Sequence, residues 1–214
     1  MPRIVKTTVY ELKELSEAAR ERARAWYRES CFDHAWYEFV YEDFETVCQL
    51  LGVTLGTSPV PLMGGGTRET PHIFFAGFSN QGDGASFQGY YEYARGAARA
   101  VRAYAPRDTE LHVIADALAE IQWRNFYQLT ADIRQRGRYC HEYTMTIDVE
   151  RASLRGQDPT ADAQETITEA LRDLARWLYR RLEREYAHQT SEPVVDETIA
   201  VNDWAFTADG RPFG

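Results

Sequence analysis

The stretch Pro71–Gly96, PHIFFAGFSNQGDGASFQGYYEYARG, decides how the rest of the chain is read. Two aromatic runs, Ile73–Phe78 and Ser86–Tyr93, flank the turn Asn80-Gln81-Gly82-Asp83-Gly84. Runs of this kind separated by a Gly/Asn/Asp cluster predict a β-hairpin, with Gly82 and Gly84 supplying the positive φ of a tight reversal. They are too apolar for a surface ribbon, so the hairpin is expected at the centre of an antiparallel sheet. The Gly-Asp-Gly loop is open to two readings: plain turn chemistry, or backbone N–H groups presented to an anion.

Upstream, Val53–Thr70 holds Pro59, Pro61 and the triple glycine Gly64–Gly66, which predicts an irregular loop. His34–Leu51 reads as a helix with Trp36, Phe39, Val40, Val47, Leu50 and Leu51 on one stripe. Asp43 falls inside that stripe, and a carboxylate on an apolar face must be paired, hydrogen-bonded or raised in pKa. Before it, Ser16 caps a helix to about Ser30, with Leu15, Ala19, Ala23 and Trp26 on its core face. Glu17, Arg20, Glu21, Arg24 and Arg28 make its solvated face. Ile4–Tyr10 is β-rich and predicts a first strand.

Downstream, Gly96 leads into a short helix, Ala97–Tyr104, that ends at Pro106. Asp108 caps a long helix expected to run to about Arg136. Its apolar stripe takes in Leu111, Ile114, Ala115, Leu118, Ile121, Phe126, Leu129 and Ile133, with Gln122 and Asn125 planted in it. Both amides must therefore find hydrogen bonds, in a closed internal network or in a pocket. Arg138–Arg151 alternates, with Tyr139, His141, Tyr143, Met145, Ile147 and Val149 on one side, and predicts a half-buried strand. A second long helix is expected from Thr160 or Asp162 to about His188, where Arg172, Arg176, Arg180, Arg181 and Arg184 crowd the surface left by the leucines. A short helix over Glu192–Asp203 and a terminal arm, Trp204–Phe213, complete the chain. Strands and long helices without βαβ alternation indicate an α+β fold, an antiparallel sheet covered by long helices. With no repeat and no composition break, a single domain over 1–214 is expected.

Composition narrows the functions. The 214 residues carry a formal net charge of −9, which argues against direct nucleic-acid binding, whose footprint is basic. The 13 Tyr and 5 Trp suit a pocket, an interface or a twofold homodimer. Cys31, Cys48 and Cys140 share no metal-site or disulfide spacing. With no signal peptide and no apolar run long enough for a membrane span, a cytoplasmic protein without membrane contact is expected. No phosphate loop, dinucleotide fingerprint, nucleophile elbow or zinc-protease motif occurs, and the five histidines are scattered. Neither catalysis, nor a metal, nor a cofactor is expected.

Four stretches carry a resemblance: FVYEDF (Phe39–Phe44), FFAGFSNQGDGASFQGYYEY (Phe74–Tyr93), EIQWRNFYQLTADIRQRGRYCHEYTMTIDVER (Glu120–Arg151) and NDWAFTADGR (Asn202–Arg211). They resemble a bacteriophage and prophage family labelled "antitoxin of toxin–antitoxin stability system". The resemblance implies a non-enzymatic accessory protein that blunts a bacterial toxin or defence system in the host cytoplasm. It does so either by sequestering a small nucleotide-like ligand in an aromatic and polar pocket, or by capping a host toxin or defence protein with an acidic or aromatic surface. An uncharacterised enzyme is a third possibility. For the pocket, the expected ligand-binding residues are Asp43, Gln81, Gly82, Asp83, Gly84, Tyr91, Gln122, Asn125, His141 and Tyr143, converging beside the hairpin.

Overall fold

A computed structural model describes residue 3 and residues 6–213. The fold is α+β. The chain packs as two compact units, Met1–Glu38 with Arg184–Gly214, and Phe39–Glu183. No composition break marks either junction, because the first unit is assembled from both ends of the chain.

In the first unit, Ser16 caps α1 (Glu17–Ser30) by accepting the Ala19 N–H at 3.4 Å. Ala19, Ala23 and Tyr27 bury against Leu12, Leu15, Val195, Ile199 and Phe206. Two of these, Val195 and Ile199, lie on the closing helix of the chain, Glu192–Val201. Tyr10 and Phe206 exchange backbone hydrogen bonds at 2.8 and 2.9 Å. The strand expected over Ile4–Tyr10 falls partly outside the described residues, and within them Tyr10 makes only this bridge. Arg24 corrects the solvated-face reading: it is 5% exposed. Its guanidinium grips both Asp196 oxygens at 2.7 Å and also reaches Glu192 at 2.7 Å, so the buried cation is paired.

The second unit is built on a four-stranded antiparallel sheet in the order β1 (Val53–Leu55), β6 (Gly89–Glu92), β7 (Leu129–Gln135), β8 (Met145–Arg151). Between β1 and β6 the chain forms two hairpins. β2 (Thr57–Pro61) pairs with β3 (Thr67–Pro71), and β4 (Ile73–Phe75) pairs with β5 (Ala85–Phe87). The register sets Tyr91 opposite Ala131, and Ala131 opposite Val149. Tyr91, Leu129, Ala131, Ile133, Met145 and Ile147 therefore form the buried face, and Tyr90, Thr130, Asp132, Arg134 and Asp148 the polar one. Helices α2 (Glu38–Leu51), α3 (Ala97–Tyr104), α4 (Thr109–Arg124) and α5 (Ala163–Gln189) supply the rest of the core. Phe44 of α2 meets Phe87 at 5.3 Å and Trp177 of α5 at 6.4 Å.

Several expectations are corrected. The Pro71–Gly96 hairpin exists, but β4 and β5 form their own two-stranded ribbon, and only β6 enters the main sheet. The segment Val53–Thr70 is not irregular: it holds β1, β2 and most of β3. Every β2 side chain is exposed, so burial imprinted no alternation on it, and Pro59 and Pro61 sit in a strand that pairs on one side only. Helix α2 starts at Glu38 rather than His34, and Phe39 is exposed. The helix from Asp108 stops at Arg124, not Arg136, and Leu129 and Ile133 belong to β7. The strand expected from Arg138 begins at Met145, after a 3-10 turn at Glu142–Thr144.

The outer edge of β8 is closed by a side chain. The Gln164 amide donates to the Ile147 carbonyl at 2.8 Å and accepts the Val149 N–H at 3.1 Å, as a neighbouring strand would. The arginines of α5 are largely neutralised within the unit: Arg172 by Glu169, Arg176 by Glu142 and Asp173, Arg180 by Glu110, and Arg181 by Asp43.

Candidate functional site: an aromatic ledge

The ten expected ligand residues fall into three separate places. Gln122 and Asn125 are fully buried, as the stripe requires, and both are satisfied internally. The Gln122 amide donates to the Leu129 carbonyl at 2.7 Å and the Tyr91 hydroxyl at 3.3 Å, and accepts the Leu129 N–H at 3.1 Å. Asn125 donates to the Ile121 carbonyl at 3.0 Å and Thr160 Oγ1 at 2.9 Å, and accepts the Thr160 N–H at 2.9 Å. Burial, partly offset by the hydrogen bond from Gln122, pushes the Tyr91 phenol up to about 12.

The glycine loop forms the second place. One Asp83 carboxylate oxygen accepts the N–H groups of Ser79 at 2.9 Å and Asn80 at 2.7 Å, so the carboxylate closes its own loop. Gln81 is exposed, and Gly82 has φ 98° as expected. Gly84 is needed for a different reason from the one expected: its φ is not positive, and a Cβ there would lie 2.5 Å from the His141 Cβ. His141 caps the 3-10 turn, its Nδ1 accepting the Tyr143 N–H at 3.2 Å, and is not on a strand. Tyr143 is exposed, with the Arg172 guanidinium 5.2 Å from its ring. Asp43 is the third place. It is half-buried, accepting from the Tyr104 hydroxyl at 2.6 Å and facing Arg181 at 3.3 Å.

The Gln122–Asn125 network supports what sequence reasoning missed. Beyond Asn125, Phe126 and Tyr127 both adopt left-handed backbone, at φ 57° and 60°. For residues with a Cβ this costs about 1–2 kcal/mol each, so two in succession are held only by a rigid frame. The frame is the pair of buried amides, together with the Tyr127 N–H bonded to the Gln122 carbonyl at 2.7 Å. The conformation turns Phe126 and Tyr127 outward, 71% and 47% exposed, next to Trp123 on the last turn of α4, which is 67% exposed. Arg151, held by Gln128 Oε1 at 3.0 Å, lies 5.3 Å from the Phe126 ring. Tyr93 packs against Tyr127 with ring centroids 4.5 Å apart and the ring planes tilted by 34°. Beside this ledge opens a pocket of about 160 Å3 lined by Tyr91, Tyr93, Ala94, Ala97, Ala119 and Tyr127 among others.

A family model described as a domain of unknown function (DUF8835) matches residues 36–192. The chain belongs to that family. No curated protein and no solved structure matches it. The DUF8835 match contains the sheet, the helix α4 and the whole ledge. Among the described residues of this DUF8835 protein, no group of three or more His, Cys, Asp or Glu is placed to hold a metal ion, and no helix is long and apolar enough to cross a membrane.

Proposed function

We propose that the protein is a non-catalytic binding protein that engages a partner polypeptide through the Trp123–Phe126–Tyr127 ledge. In keeping with the resemblance to the prophage antitoxin family, the partner is a host toxin or defence protein. One observation carries the reading: two consecutive bulky aromatics are held in strained backbone and exposed. Strain of that kind persists where the surroundings over-determine it and clusters at functional positions. Trp, Tyr and Arg are also the residue types in which interface energy concentrates. The experiment is site-specific photo-crosslinking in the native host. A crosslinking residue at Phe126 captures a polypeptide, whereas one at Val201, equally exposed on the closing helix, does not. Equal capture from both positions overturns the reading.

A small-ligand role has one observation in its favour. A cavity of about 480 Å3 in the first unit, lined by Leu12, Lys13, Arg20, Ile199 and Trp204 among others, lies within the size range of small-molecule sites. It contains none of the ten residues expected to bind a nucleotide-like ligand. Mass spectrometry of small molecules co-purifying with the native protein tests this second reading, and an empty protein removes it.

A further inference from the structure

We propose that the ledge recognises a partner segment in which one apolar side chain enters the pocket beside Tyr127 and an adjacent acidic residue pairs with Arg99. This rests on the reading of the ledge as a protein-binding surface. The pocket, at about 160 Å3, is too small for a drug-sized or nucleotide ligand, whose sites run from about 300 Å3 upwards, and matches a single side chain. Its walls include the packed rings of Tyr93 and Tyr127, and the small side chains of the alanines at 94, 97 and 119 leave it open. Ala119 and Trp123 stand four residues apart on α4, so pocket and ledge form one continuous surface. An apolar anchor in such a recess, ringed by exposed aromatics, has the anatomy of an interface hot spot.

The flanking charge follows from which arginines are already committed. Arg124 pairs with Asp162 at 2.7 Å and Arg102 with Asp116 at 2.6 Å. Arg99, which lines the pocket, and nearby Arg95 are exposed and make no ion pair among the described residues. In a chain of net charge −9, an uncommitted cation lining an apolar pocket, with a second four residues before it in the chain, sets the local field against the global one. Charge complementarity there selects an acidic flank and suppresses a basic one.

The test selects peptides from a displayed random library on the intact wild-type chain, then measures synthetic copies by fluorescence anisotropy. The enriched peptides share an apolar residue next to Asp or Glu. Arg99→Glu weakens them by about two- to fivefold, the range of an exposed ion pair, and favours versions with Lys in place of the acid. Ala119→Phe, which fills the pocket, weakens them about tenfold or more. Ala97→Leu fills it from the α3 side and gives the same result if Ala119→Phe fails to fold. Peptides that depend on Phe126 and Trp123 but show no acidic preference, or ignore both pocket-filling variants, overturn this proposal and leave the ledge reading intact. A selection in which no binding responds to Phe126→Ser overturns both. A wild-type dimer in sedimentation that Ala119→Phe dissolves makes a second copy of the chain the occupant, and this too overturns the proposal.

Discussion

Replacing Gln122 by Leu separates scaffold from binding pocket. The substitution nearly conserves volume but removes both amide donors and the acceptor. The Leu129 N–H, now 3.1 Å from Oε1, is left in a site closed to water, and the Leu129 carbonyl and Tyr91 hydroxyl each lose a donor. An orphaned buried donor costs about 1–3 kcal/mol, and each lost neutral hydrogen bond about 1 kcal/mol. Burying Leu in place of an amide offsets about 1 kcal/mol of this. The net expectation is a loss of about 2–4 kcal/mol, which in a chain of this length lowers the melting temperature by roughly 5–15 °C. Urea unfolding followed by tryptophan fluorescence reads it, since Trp177 is buried in the same unit. The midpoint falls while the slope of the transition stays constant. An unchanged or raised midpoint refutes the scaffold account and shows that the amide's working partner is not Leu129.

Phe126→Gly relieves one left-handed aromatic at φ 57° and gives up little burial, so stability changes by less than about 1 kcal/mol, while peptide binding at the ledge is lost. A calorimetric loss of several kcal/mol contradicts the outward-facing assignment. Gly84→Val destabilises more than Asp83→Ala because its side chain collides with His141, and thermal melts of the two variants give the order; the reverse order contradicts the steric argument. The Tyr91 phenol, raised to about 12, stays protonated in the folded chain while the unfolded one ionises near 10. Stability is therefore full below about pH 10 and falls by about 1.4 kcal/mol per pH unit between 10 and 12. Tyr91→Phe removes that component, and an identical alkaline slope in both proteins counts against it. Asp196→Asn leaves the buried Arg24 cation half-compensated and costs about 3 kcal/mol in the first unit, measured by local hydrogen-exchange protection; unchanged protection there argues that Glu192 and Glu21 suffice.

The sequence made helices legible where apolar spacing and caps agreed. Ser16 started α1, and the leucines from Leu171 to Leu182 marked α5. It misled where two periods coexist. Leu129 and Ile133 fit a helical stripe continuing from Leu111, yet Leu129, Ala131 and Ile133 also alternate, and the alternation is what the sheet buries. The breaker between them is Asn125 as C-cap with Phe126 and Tyr127 in left-handed backbone, a turn that aromatic residues do not advertise. Asn125 was the one signal available, since an amide at a helix end is a common stop. The exposed β2–β3 hairpin had no burial pattern to read. Of the site, the buried amides were foreseen, and of the two arrangements open to them it is the closed internal network that forms, bracing the turn at Phe126 and Tyr127.

The pairing of Arg24 with Asp196 has a consequence for how the chain is made. The two residues are 172 positions apart, and the whole of the second unit is synthesised between them. At about 5–20 residues per second, α1 leaves the ribosome roughly 10–30 s before the segment that carries Glu192 and Asp196. During that interval the sheet-bearing unit can complete its own core, while α1 waits with an alanine face and with only its own Glu17 and Glu21 beside the arginine. Translation therefore imposes an order on assembly. The Arg24–Asp196 pair can form only after every residue of the sheet-bearing unit has been made.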